Sequence, residues 1–199
     1  MHTPNFSLRR GRRAVHHALA LSLATVALAG CSDPFKLKAS YANEPFAFTL
    51  YALSGKGPAN APSALDLTAR SVVRVDGNFA FDVAFDMDGK GKVVVLPQRF
   101  VGTPVSGGRT VALQRLSGGF DAVLLAPLGG WLTDSVMTVL PGEVVGVRLT
   151  SSSCVYQISS ELYVKFVVDS TTSSGLVFGR GVFNPNCGFR SLAEGVPDK

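Results

Sequence analysis

Phe79-Ala80-Phe81-Asp82-Val83-Ala84-Phe85-Asp86-Met87-Asp88 is the clearest periodic stretch of the chain. Phe79, Phe81, Val83, Phe85 and Met87 alternate with Ala80, Asp82, Ala84, Asp86 and Asp88, a period of two. Successive side chains of a strand point to opposite faces, so the stretch predicts a β-strand with an apolar core face and a wet face. Turn signals bracket it. Asp76-Gly77 precedes it as a type I′ hairpin signal, because glycine tolerates positive φ. Asp88-Gly89-Lys90-Gly91 follows and leads into residues 92–96, which Pro97 closes. With residues 65–75 as one or two further strands, this predicts a three-strand antiparallel meander over residues 70–97.

The same pattern extends in both directions. Upstream, residues 46–53, FAFTLYAL, alternate with aromatic enrichment and predict a strand, and residues 54–63 hold two glycines and two prolines and predict a loop. Downstream, residues 110–116 predict a strand between the pairs Gly107-Gly108 and Gly118-Gly119. Residues 120–126, FDAVLLA, fit either a short helix ended by Pro127 or a buried strand. Residues 135–140 and 144–150 flank Pro141-Gly142 and predict a second hairpin. Residues 154–158, 162–169 and 176–183 predict the last three strands. Strands every 10–15 residues with Gly/Pro turns between them predict an all-β fold: a single antiparallel β-sandwich or β-barrel-like domain, with room for one short helix.

The first 30 residues have a different character. Arg9, Arg10, Arg12 and Arg13 precede an apolar run at residues 18–29, and Leu28-Ala29-Gly30-Cys31 follows directly. The run has 12 residues, whereas a helix needs about 20 to cross roughly 30 Å of hydrocarbon, so it predicts a cleaved leader rather than a retained span. The basic, apolar and L-A-G-C parts in this order resemble a bacterial lipoprotein signal peptide with its lipobox. An ordinary secretory leader, cut after Ala29 or Gly30, is the alternative. The resemblance covers about a sixth of the chain and implies cleavage before Cys31, a diacylglycerol on its thiol and three acyl chains in a Gram-negative host. Ser32, by the sorting rule of enteric bacteria, implies outer-membrane delivery. The expected organisation is a leader at 1–30, a lipidated tether at 31–42 and a domain at 43–199.

Removing the leader changes the chemistry available. Four of the 19 basic residues lie in it and none of the 14 acidic ones, so the mature chain carries 15 against 14 and lacks the basic patch a nucleic acid requires. His2, His16 and His17 are the only histidines, so the mature domain has none. A serine triad has no general base, and G-x-S-x-G and S-x-x-K are absent. Gly55-x-Gly57, Gly89-x-Gly91 and Gly179-x-Gly181 lack the third glycine of a phosphate-cradling loop and read as turns. No motif calls for a cofactor.

With Cys31 lipidated, Cys154 and Cys187 remain in an oxidising compartment, and a disulfide is the natural reading; a redox or metal pair is the alternative without C-x-x-C spacing. A loop of about 34 residues makes such a bond worth roughly 3 to 4 kcal/mol in the chain-entropy account. Asp82, Asp86 and Asp88 admit calcium as well as a solvated strand face, although Lys90 and Lys92 intrude and a distal bidentate Glu is missing. Asp121, Asp134, Glu143 and Glu161 are the candidates for a two-carboxylate glycosidase. Trp131, with Tyr41, Tyr51, Tyr156 and Tyr163, fits either a sugar- or peptide-binding platform or a core anchor. The expected function is a membrane-anchored envelope lipoprotein with a binding or structural role; the alternative is a histidine-free envelope hydrolase using paired acids.

Overall fold

The computed structural model describes residues 37–76, 79–101, 109–133, 135–154, 157 and 159–197. The expected leader at 1–30, Cys31, Gly77, Gly107, Gly108, Asp134 and Tyr156 lie outside them. Eleven strands are described: β1 (Glu44–Tyr51), β2 (Ala64–Asp66), β3 (Ser71–Val73), β4 (Val83–Met87), β5 (Val93–Pro97), β6 (Thr110–Leu116), β7 (Leu132–Thr133), β8 (Met137–Val139), β9 (Val144–Thr150), β10 (Glu161–Thr171) and β11 (Leu176–Asn184). They form two antiparallel sheets, ordered β1-β11-β10-β9-β6-β7 and β3-β2-β4-β5-β8. The all-β, sandwich-like expectation is met, within a unit spanning Lys38–Lys199.

Alternation builds the core between the sheets. Val145, Val147 and Leu149 of β9 and Leu162, Val164, Phe166 and Val168 of β10 point inward and are buried. Phe85 of the facing sheet meets Phe48 at 5.5 Å and Phe166 at 5.7 Å, tilted and edge-on. Such pairs add about 0.5–1.5 kcal/mol beyond the area they bury.

The predicted strand at 79–88 is shorter and drier than expected. It begins at Val83, and Phe79 is exposed. Asp82 and Ala84 are buried rather than wet, because β4 is an interior strand and Ala84 packs with Ala64 and Phe81 on the outer side of its sheet. Of the meander at 70–97 only the second hairpin forms, β4 pairing with β5 across the turn at 88–91, whereas β3 pairs with β2 and β2 comes between it and β4. Asp66 Oδ1 accepts hydrogen bonds from Thr68 N, Thr68 Oγ1 and Ala69 N, which closes a turn between β2 and β3. An Asx turn of this kind reverses the chain without the Asn-Gly or Asp-Gly pair.

The second predicted hairpin is also corrected. Glu143 N donates to Leu140 O and Leu140 N to Glu143 Oε2, so the turn at Pro141-Gly142 is present. Its two arms, however, join different sheets: β8 pairs with β5, and β9 with β6 and β10. Gly179 and Gly181 are not turn residues but lie in β11, opposite Phe48 and Phe46. A Cβ at either would strike the phenyl ring across the ladder, so their bareness makes room for the two rings. Phe120–Ala122 forms one 3-10 turn, after which the chain runs extended to an isolated bridge between Leu125 and Ser191. Cys154 sits in another 3-10 turn, Ser152–Cys154, rather than opening a strand.

Candidate functional site

Three buried asparagines surround the place where the chain enters the domain. Asn186 Oδ1 accepts from Ser40 N at 2.9 Å and Tyr41 N at 3.0 Å, and its Nδ2 donates to Tyr41 O at 2.8 Å. Asn184 orients it: Asn184 Oδ1 accepts from Asn186 N and Nδ2, while Asn184 Nδ2 donates to Phe189 O and Ser191 O. Asn43 Nδ2 donates to Ser191 O and Ala193 O, and Asn43 N to Gly195 O. An amide carries donors and an acceptor together, so it can satisfy both kinds of backbone group where no strand partner is available. Residues 40–43 are thus clasped by residues 184–195.

A disulfide and further hydrogen bonds reinforce the clasp. Cys154 and Cys187 form the expected disulfide, with Cα atoms 5.7 Å apart, and Gly188 N donates to Glu161 O. Arg190 Nη1 donates to Ala126 O, and Leu192 N to Leu124 O. These bonds give the segment Asn184-Pro185-Asn186-Cys187-Gly188 its purpose. Its tight turns and adjacent disulfide are legible in the sequence; its hydrogen-bond partners, nearly 150 residues upstream, are not.

A small apolar cluster covers the outer face of the six-stranded sheet. Leu116, Val123, Ala126, Val144, Tyr163 and Leu192 are its buried members, with Phe120 and Trp131 packed against them. Lys165 lies inside, 3 % exposed, donating from Nζ to Phe120 O at 2.7 Å and Val123 O at 2.8 Å, with Nζ 4.4 Å from the Phe120 ring centroid. Burial lowers its pKa, against the pull of Asp121 and Glu194. The ammonium ties down residues 120–123 rather than presenting an amine to solvent. Trp131 is half-buried, 5.9 Å from Tyr163 and under the Arg148 guanidinium, and its Nε1 donates to Pro127 O. Among the described residues of the expected aromatic platform, only these two rings meet: Tyr41 is at the clasp and Tyr51 lies against Gly57.

The carboxylates do not gather into a site. Asp82, 1 % exposed, accepts from Arg109 Nε at 2.6 Å, Arg109 Nη2 at 3.0 Å and Leu67 N at 2.8 Å, and Arg109 also bridges to Asp66. Burial opposes ionisation of Asp86, but hydrogen bonds from Ser54 and Met87 prevail and lower its pKa. Asp88, held by the amides of Lys92 and Lys90, is also lowered. Three calcium ligands would have to converge, whereas these three carboxylates serve three separate partners. Among the described residues no group of three or more His, Cys, Asp or Glu could hold a metal ion.

The acids considered for hydrolysis are likewise apart. Glu161 accepts from Tyr163 OH at 2.7 Å and pairs with Arg148 at 3.2 Å; Glu143 faces Arg115 at 3.5 Å. Glu161 is opposite Thr150, and Glu143 precedes Val144, so the length of β9, about 20 Å, separates them. Paired glycosidase carboxyls stand about 5–9.5 Å apart. Asp121 is next to Phe120 beside Lys165, and Asp134 lies outside the described residues.

A cleft of about 410 Å³ opens beside the loop at 52–63, lined among others by Tyr51, Pro58, Ser63, Arg74 and Asp76. Arg74 bridges to Asp76 at 3.1 Å and lies over the Phe79 ring. Compared with protein-family models, curated proteins and solved structures, the chain matches none.

Proposed function

We propose that the chain is a lipid-anchored protein of the bacterial envelope, cleaved before Cys31 and acylated there, with residues 31–42 as a tether and residues 43–199 as a β-sandwich module. The observation that carries the reading is Leu28-Ala29-Gly30-Cys31 directly after a basic and then an apolar segment. Two features agree with it. Cys154 and Cys187 bond to each other, as expected in an oxidising compartment, so Cys31 is not needed as a disulfide partner. The asparagine clasp holds the end of the tether, so a pull on the anchor is borne by part-buried hydrogen bonds backed by a disulfide. Ser32 favours the outer membrane as the destination.

The module acts by binding or by structural support. This role is preferred to paired-acid hydrolysis because Glu143 and Glu161 are each engaged by an arginine and stand at opposite ends of β9. Intact mass and membrane fractionation of the native protein beside a Cys31→Ser variant test the reading. The expected result is a mass for cleavage before Cys31 plus acyl chains, with membrane association lost in the variant. An unacylated, soluble native protein would overturn it.

A further inference from the structure

The segment 117–131 covers the outer face of the six-stranded sheet with few of its apolar side chains. Val123 and Ala126 turn inward and are buried, while Leu124, Leu125 and Leu128 turn outward, Leu128 being 83 % exposed. The hydrogen bonds of the clasp bring two more exposed apolar residues to this end. Leu125 bridges to Ser191 and Leu192 N donates to Leu124 O; Asn43, two residues past Tyr41, bridges to Gly195 beside Val196. Tyr41 is 66 % and Val196 59 % exposed. Exposed apolar residues are ordinary singly, but a group at one place marks an interaction surface.

Where the group sits identifies what covers it. Cys31 is nine positions before Ser40, where the clasp begins, and fully extended nine steps reach at most about 30 Å. An acylated Cys31 therefore holds this end of the domain within about 30 Å of the lipid headgroups. Leucine and valine gain by entering the acyl boundary, and tyrosine favours the interface between headgroups and water. Basic and acidic side chains are mixed nearby, with Arg190 and Lys165 against Glu194 and Asp121, so charge contributes little.

We propose that Tyr41, Leu124, Leu125, Leu128 and Val196 form a bilayer-docking face, which lays the clasp end of the domain on the membrane that holds its anchor. The inference rests on acylation of Cys31. It adds an orientation: the turn at 88–91 points away from the lipid, because Asp86 just before it is hydrogen-bonded by Ser54, beyond the far end of β1.

The test uses the full chain, processed and purified from membranes, with Trp131→Phe and one new tryptophan, Leu128→Trp on the face or Lys90→Trp in the far turn. Each protein is reconstituted into phosphatidylethanolamine–phosphatidylglycerol vesicles with brominated acyl chains, and its intact mass is measured. The expected result is acylated protein whose residue-128 fluorescence falls about twofold or more while that of residue 90 is unchanged, with high salt making no difference. Amide exchange on vesicles is compared between the native protein and a Leu124→Ser/Leu125→Ser/Leu128→Ser variant, and slower exchange at residues 124–128 of the native protein is expected even if Trp131→Phe disturbs folding. Acylated protein with no quenching at residue 128 and equal exchange overturns the docking face and leaves the anchor standing. Protection that disappears when the protein is diluted in the vesicles assigns the face to a second copy and overturns it too. Unacylated protein overturns the anchor reading and the docking face with it.

Discussion

Replacing Asn186 with alanine tests whether the clasp holds residues 40 and 41. The side-chain amide makes four hydrogen bonds, three of them to the backbone of Ser40 and Tyr41 and one to Asn184 Oδ1. A net value of about 1 kcal/mol per bond gives an upper figure near 4 kcal/mol. Two effects reduce it. Asn184 Oδ1 keeps the Asn186 amide, and the backbone of the exposed Ser40 and Tyr41 regains water when released. Freed residues also recover about 1–2 kcal/mol of backbone entropy each, which limits the loss once they fray. The expected destabilisation is about 1–3 kcal/mol, a fall in Tm of about 2–12 °C for a domain of this size. Denaturant unfolding of a soluble Cys31→Ser protein, with and without Asn186→Ala, measures it. Amide exchange should speed up at Ser40 and Tyr41 while the β9–β10 ladder stays protected. A loss below about 0.5 kcal/mol with unchanged exchange at those two amides would refute the clasp, since three hydrogen bonds that hold a segment cannot be removed without effect.

Gly179→Ala should destabilise the domain by about 1–3 kcal/mol or more, as overpacking does, because the new methyl meets the Phe48 ring and the Val167 carbonyl. In unfolding experiments its effect should be non-additive with Phe48→Leu, and simple additivity would rule out the ring as the obstacle. Tyr163 is pushed up to about 12 by burial and by its hydrogen bond to the Glu161 carboxylate. A folded pKa above the ordinary value of 10 means that this contribution is complete below about pH 10 and is lost as pH rises towards 12. Ultraviolet titration should show a late-titrating tyrosine that Tyr163→Phe removes, and its absence would show the phenol to be open to water.

The elements that were legible in advance owe their shape to neighbours in sequence. Residues 110–116 were predicted as a strand and form β6 with those bounds, because each side chain's face follows from the residue before it. The disulfide was legible by exclusion among three cysteines. Pro141-Gly142 announced a reversal for the same local reason.

What the reversal connects is another matter. Hydrogen bonds of β8 and β9 go to β5, β6 and β10, and no feature of residues 135–150 distinguishes a hairpin from a passage between sheets. Asp82 looked wet because an aspartate on an alternating strand ordinarily is; it is dry because Arg109, 27 residues on, neutralises it. Gly179 and Gly181 resembled turn residues until the register of β1 set Phe48 and Phe46 opposite them. The clasp depends on contacts nearly 150 residues apart. By itself the sequence determined where most strands run, where the chain turns and that residues 31–199 hold no histidine. Only the tertiary structure decided which strands are partners, which polar groups are buried and which leucines stay outside, because those outcomes depend on side chains that meet only after the two sheets have closed on each other.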